Sequence, residues 1–150
     1  AFLKYATIGP DKLNQLQHAR FVKSSAGLRL HMKKHASILK PKFDAVYETL
    51  DRELGDSGIA DWTKPTGGYF LSFNTMPGCA SKVVKMCADC GVKFTPAGST
   101  YPHGIDPEDR NIRLAPSFAT VEEITKAITI LSLCTKIVTI EKMLKESDPA

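Results

Sequence analysis

Thr66-Gly67-Gly68-Tyr69-Phe70 and, further along, Asn111-Ile112-Arg113-Leu114-Ala115-Pro116 decide the reading of this chain. In the first stretch a Gly-Gly turn opens an aromatic-rich run, Tyr69 to Phe73, of the composition that strands favour. In the second, a short apolar run from Asn111 to Ala115 reads as the last strand and carries one arginine. Charged side chains avoid the middle of buried runs unless a partner neutralises them. An arginine so placed is positioned to meet an anion, and its planar fork suits a carboxylate best. The pattern names a ligand class without naming a reaction. From spacing alone Arg113 also fits a salt bridge with an internal acid, or the exposed face of an edge strand.

Working outward, Ile59-Ala60-Asp61-Trp62 reads as a short strand and Lys64 to Gly68 as a turn. Pro77-Gly78 turns again before a helix over 79–90, whose inner face takes Val83, Val84, Met86 and Cys87. Gly91 ends that helix, and Val92-Lys93-Phe94-Thr95 is expected as another short strand. Residues 96–110 form a loop rich in Pro, Gly, Asp and Ser, of a length that is often functional. Thr120, with Glu123 three residues on, makes a capping box for a final helix running to about Leu144. Val121, Ile124, Ile128, Leu131 and Ile137 are expected on one face of it. Ile130, Leu133, Val138, Ile140 and Met143 broaden that face, which should need cover on more than one side.

Toward the N-terminus, residues 1–7 look like the tail of a helix. Ile8-Gly9-Pro10 breaks it, and Pro10-Asp11 opens another with a narrow stripe of Leu13, Leu16, His18 and Phe21. Lys23 to Gly27 reads as a connection. A long helix over 28–54 follows, with Leu39, Phe43, Val46, Leu50 and Leu54 in period. Pro41 should kink it or mark two helices meeting, and Gly55 should stop it. The order predicts an α+β two-layer sandwich: a small, mainly antiparallel sheet with helices packed on one face.

Composition narrows the classes. The chain has 150 residues, 43% hydrophobic and 24% charged, which fits one soluble domain with a real core. No apolar run approaches the roughly 20 residues of a membrane span, and the first residues do not make a signal peptide. A net charge of +4 is mild. Its local cluster, Arg29, Lys33, Lys34, Lys40 and Lys42, reads as a solvated helix face, so neither nucleic acid nor a membrane is expected as a partner. Cys79, Cys87, Cys90 and Cys134 are expected as buried or semi-buried free thiols in a reducing cytoplasm. Cys87 and Cys90 lack the second pair that a structural zinc site needs.

Catalytic groups are sparse. There is no nucleophile elbow, and His18, His31, His35 and His103 lack a Ser or Cys partner. His31 and His35 share a helix face and make half of a metal site, read first as surface histidines. His103 reads as a loop residue. Gly67-Gly68 and Gly98 do not form a phosphate loop. Asp106, Glu108 and Asp109 read as a hydrated acidic turn rather than a calcium site. No catalytic residue and no metal site are expected within this chain.

Pro65-Thr66-Gly67-Gly68-Tyr69-Phe70, the Gly91-Val92 turn, Thr95-Pro96-Ala97-Gly98-Ser99 and Asn111 to Pro116 stand in one order. Together they resemble the C-terminal small domain of fold-type I, pyridoxal-phosphate-dependent aminotransferases, most of all a bacterial aspartate aminotransferase-like group. Ile8 to Leu16 and His35 to Phe43 match the same group. The resemblance implies residues 1–27 as a helical segment that joins the large domain and 28–150 as the small domain. It implies transfer of an amino group between an amino acid, with aspartate a candidate, and a 2-oxo acid. The substrate α-carboxylate would be bound by Arg113, with Phe70 and Tyr69 lining the pocket and Asn111 and the Ser99 loop in support. The cofactor lysine, and the aspartate that meets the pyridine nitrogen, lie upstream in the family and are not in this chain. The resemblance therefore implies a piece of a cytoplasmic, homodimeric enzyme, inactive alone. Its partners would be the missing large domain and a second copy. Rival readings are a free-standing carboxylate-binding or protein-interaction module, a basic nucleic-acid module around Arg29 to Lys42, and thiol chemistry at Cys87 and Cys90.

Overall fold

The computed structural model describes residues 11–147. The chain falls into two compact units, one up to Ile38 and one from Leu39. The expected helix tail at 1–7 and the break at Pro10 lie outside the described residues. In the first unit, the Asp11 carboxylate accepts the Asn14 N–H at 3.0 Å and caps α1, Lys12–Val22. No residue of α1 is buried, and Leu13 and Phe21 are exposed. The Ser24 hydroxyl accepts the Gly27 N–H at 3.2 Å, so the next helix, α2, already begins at Ser25. The connection is therefore shorter than the Lys23–Gly27 stretch expected from composition.

Helix α2, Ser25–Leu54, runs through Pro41 as one element rather than two meeting helices. Its buried residues, Phe43, Ala45, Val46, Thr49, Leu50 and Leu54, all follow the proline. That packing offsets the hydrogen bond that proline cannot make. Lys42 anchors the same half by donating to the Ser117 carbonyl at 2.8 Å.

The second unit holds a three-stranded antiparallel sheet ordered β1 (Ala60–Trp62), β2 (Leu71–Thr75), β3 (Asn111–Leu114). Alternation sorts each strand: Leu71, Phe73 and Thr75 of β2 and Ile112 and Leu114 of β3 are buried. Leu71, Phe73, Ile112 and Leu114 join one core with Val46, Leu50 and Leu54 of α2, Val83 and Cys87 of α3 (Ala80–Asp89), and Leu131 and Val138 of α4 (Val121–Ser147). The expected α+β two-layer arrangement is what the chain adopts.

Two expected strand segments fall elsewhere. Tyr69 and Phe70 precede β2 instead of opening it. The rung that closes β1 against β2 is at Thr63 and Ser72, where the Thr63 hydroxyl accepts the Ser72 N–H at 3.0 Å. The chain before it bends at Gly68, whose φ of +92° suits glycine. Val92 to Thr95 is not a strand either. Its link to β3 is the Thr95 hydroxyl, which donates to the Arg113 carbonyl at 3.0 Å, and Pro96 has no N–H to extend a ladder.

Helix α4 opens with the predicted capping box. The Glu123 N–H donates to the Thr120 hydroxyl at 3.2 Å, and the Thr120 N–H donates back to the Glu123 carboxylate at 2.8 Å. Its buried face is Ile124, Ile128, Leu131, Ser132, Cys134, Thr135, Val138 and Thr139. Ser132 and Thr135 enter the core because their hydroxyls donate to the Ile128 and Leu131 carbonyls one turn back. Val121 and Ile137, expected inside, are exposed with Leu133, Ile140 and Met143. Among the described residues one face of α4 is covered, not both.

Candidate functional site

Arg113 lies between buried Ile112 and Leu114 and so projects from the opposite face of β3, away from the core. Ser72 is its cross-strand partner. The guanidinium carbon sits 4.7 Å from the centre of the Phe70 ring, a cation–π contact that also fixes the fork's plane. Its Nε is buried without a hydrogen-bond partner. Among the described residues Arg113 forms no ion pair. The internal salt bridge allowed by spacing is absent there, whereas the edge-strand placement is correct. Phe70 reaches Arg113 because it precedes the first rung of β2 and is half-exposed. Tyr69 is also half-exposed, and no ring or hydrogen-bond contact joins it to Arg113 among the described residues.

A polar network occupies the same face. The buried Asn111 amide donates to the Ser72 hydroxyl at 2.6 Å and the Asn74 carbonyl oxygen at 2.8 Å, and accepts from the Thr100 hydroxyl at 2.5 Å. Asn74 donates to Asp61 at 2.8 Å, and Arg110 meets the other Asp61 oxygen at 3.0 Å. Arg110 is thus engaged by Asp61 and Glu108, which leaves Arg113 as the arginine of this face without an acid. Ser72, Asn74 and Asp61 were not singled out from sequence. Period-2 alternation through β2 and β3 was the available signal, since it puts Ser72, Asn74, Asn111 and Arg113 on one side.

The loop before β3 is built from within. Asp106 accepts backbone N–H bonds from Glu108 at 3.0 Å and from Arg110 and Asn111 at 2.8 Å. Burial raises its pKa, but these three bonds outweigh it, and the carboxyl lies below the usual range. Asp109 accepts from the Ser81 N–H at 3.0 Å and so caps α3 from outside that helix. The two acids are structural ties and not the hydrated turn expected. Gly98, with φ +75°, packs so close that a Cβ would meet the Gly104 carbonyl at 2.9 Å. His103 is exposed in the 3-10 turn Pro102–Gly104. Because the Asp106 pKa is depressed by folding, its contribution is present above the unfolded value and is lost as pH falls through the folded one. Asp106→Ala should therefore cost about 2 kcal/mol in urea unfolding at neutral pH, with the gap to wild type closing on acidification.

Burial pushes the Cys79, Cys87 and Cys134 thiols up, so none of these three has the acidic thiol that redox chemistry needs. Cys90, expected at least half-buried, is exposed because it caps α3 at its end. Among the described residues no group of three or more His, Cys, Asp or Glu side chains is arranged around a metal position. No described helix is long and apolar enough to cross a membrane.

Fold and face together define an α+β domain with one sheet face that carries a guanidinium without an acid partner among the described residues. Residues 1–147 match the aspartate amino-transferase family. An aspartate aminotransferase of Corynebacterium glutamicum is 48% identical over 127 residues, which cover 85% of this chain and 29% of that protein. The crystal structure of an aspartate transaminase from Corynebacterium glutamicum superposes with a TM-score of 0.87 at 44% identity, over 94% of this chain and 34% of that one. An α-aminoadipate aminotransferase of Thermus thermophilus, solved with N-(5'-phosphopyridoxyl)-L-leucine, shares the fold at a TM-score of 0.69 and 21% identity, over 91% of this chain and 34% of that one. This chain belongs to the aspartate amino-transferase family, and it spans about a third of the length of the curated relatives it matches.

Proposed function

We propose that this chain is the C-terminal small domain of a pyridoxal-phosphate-dependent aminotransferase and that Arg113 holds the substrate α-carboxylate. The observation that carries the reading is Arg113 itself. It lacks an acid partner among the described residues, has an unpartnered Nε, and lies against Phe70. A carboxylate received there forms two parallel charge-assisted hydrogen bonds and is fixed in orientation. Phe70 shields that pair from water, and Asn111, tied to Ser72 and Asn74, stiffens the strand that carries the arginine. The domain's part is to bind and orient an amino acid or a 2-oxo acid, and positioning of that kind lowers barriers by several kcal/mol.

The polar face does not fit the cofactor. It offers the Arg113 guanidinium, the Arg110–Asp61 pair, hydroxyls and amides, and among the described residues no lysine joins the Asp61–Asn74–Asn111–Ser72 network. Lys64 and Lys82 are engaged with Asp51 and Glu141. Pyridoxal phosphate, which supplies the electron sink for amino-group transfer, belongs to the rest of the parent polypeptide on this reading. Aspartate as donor is supported by the aspartate aminotransferase relatives. The cation for its distal carboxylate would come from outside this chain, since Arg110 is already paired. A homodimeric parent fits the exposed Leu133, Ile137, Ile140 and Met143 of α4. A cytoplasmic location fits four free cysteines.

The test pairs this 150-residue chain with the parent polypeptide. Titrated with pyridoxal phosphate and an amino acid, the chain alone should show no saturable binding and no turnover, while the parent shows both. Specific binding with turnover by the chain alone would contradict the reading.

A further inference from the structure

His31 and His35, on successive turns of α2, bring their Nε2 atoms to 3.0 Å, with ring centroids 4.5 Å apart. Residues four apart on a helix share a face, and here the two rings stand at 76° to each other with their Nε2 edges together. Phe21 packs edge-on against His31 at 5.2 Å between centroids and holds that ring in place, while His35 is exposed. His18 is occupied elsewhere, with Nδ1 2.8 Å from the Asn14 carbonyl.

The separation selects a geometry. Two metal–nitrogen bonds of about 2.1 Å at a right angle set the nitrogens about 3.0 Å apart, whereas a tetrahedral angle needs about 3.4 Å. We propose that His31 and His35 form a two-histidine chelate for a divalent metal of tetragonal preference, Cu2+ or Ni2+, with water on the remaining positions. In the metal-bound form each neutral imidazole keeps its one proton on Nδ1 and offers the Nε2 lone pair to the metal. Affinity should fall in the order Cu2+, Ni2+, Zn2+, because the bite angle adds to the intrinsic preference. The site is independent of Arg113 and stands whether or not the aminotransferase reading holds.

The test is calorimetric titration of the whole chain with Ni2+ alone, then with Cu2+ in a Cys90→Ser background that removes the exposed soft ligand. One ion per chain is expected. His31→Ala and His35→Ala should each weaken binding at least tenfold, with far-UV circular dichroism unchanged. His18→Ala and His103→Ala should leave it unaltered. The Cu2+ paramagnetic resonance spectrum should carry hyperfine splitting from two nitrogens. No stoichiometric binding, or binding retained in the His31→Ala, His35→Ala double variant, would overturn the proposal.

Discussion

Replacing Arg113 with alanine in the parent enzyme should lower kcat/KM for an amino acid by on the order of 100- to 1,000-fold, or about 3–4 kcal/mol. The magnitude follows from the environment of the group. Its Nε is buried and unpartnered, and Phe70 covers one side of the fork. A carboxylate entering there loses water that only a guanidinium replaces in kind. Arg113→Lys should recover only part of the loss, because an ammonium is a point charge without two parallel donors and does not lie flat on a ring. The variant should fold normally, since the side chain lies on the face away from the core. Steady-state kinetics alongside thermal melts separates the two effects. A fall in melting temperature matching the loss of activity would return Arg113 to a structural role.

Phe73→Ala is the second large effect, and it acts on stability. Phe73 is fully buried at the centre of the middle strand, with Trp62 stacked at 6.3 Å and 17° between planes. Removing the ring leaves a cavity between sheet and helices that neither layer can close. Such losses cost about 3–5 kcal/mol, a large part of a domain's usual margin. The melting temperature should drop on the order of 10–15 °C. Trp62 is the only tryptophan, so its fluorescence reports the transition directly. A shift of a degree or two would mean that the sheet does not rest on this ring. Phe70→Ala should leave stability almost unchanged, since Phe70 is half-exposed, and should act on substrate binding instead.

Periodicity and caps made much of this architecture readable from residues alone. The Thr120–Glu123 box, the Gly55 stop and the strands around Asp61 and Ile112 are local features, and local chemistry decides them. Where the reading slipped, a long-range contact had decided. Tyr69 and Phe70 have the composition of a strand, but the Thr63 side chain closes the ladder at Ser72 and leaves them outside. Val92 to Thr95 lies beside β3 yet meets it through a hydroxyl. Ile137 matches the apolar period of α4, but the buried stripe follows Cys134, Thr135 and Val138, whose neighbours are other elements.

The candidate site was legible as a residue and not as an environment. An arginine inside an apolar strand was visible. Its stacking on Phe70 depends on where β2 begins, and the other arginine of the face, Arg110, finds its acid in Asp61 across 49 positions of sequence. Asp106 and Asp109 show the converse. Three acids in one loop suggest solvent, yet backbone N–H groups of the loop and the start of α3 claim two of them. Sequence proximity does not disclose which donors a fold will leave unpaired.

The most direct measurement compares two substrates in wild-type and Arg113→Ala parent enzyme: an α-amino acid, and the amine that lacks only its carboxylate. If Arg113 receives that carboxylate, the variant loses about 100-fold or more in kcat/KM for the amino acid and almost nothing for the amine, so the preference between them collapses. Equal losses on both substrates would show that Arg113 does not read the carboxylate.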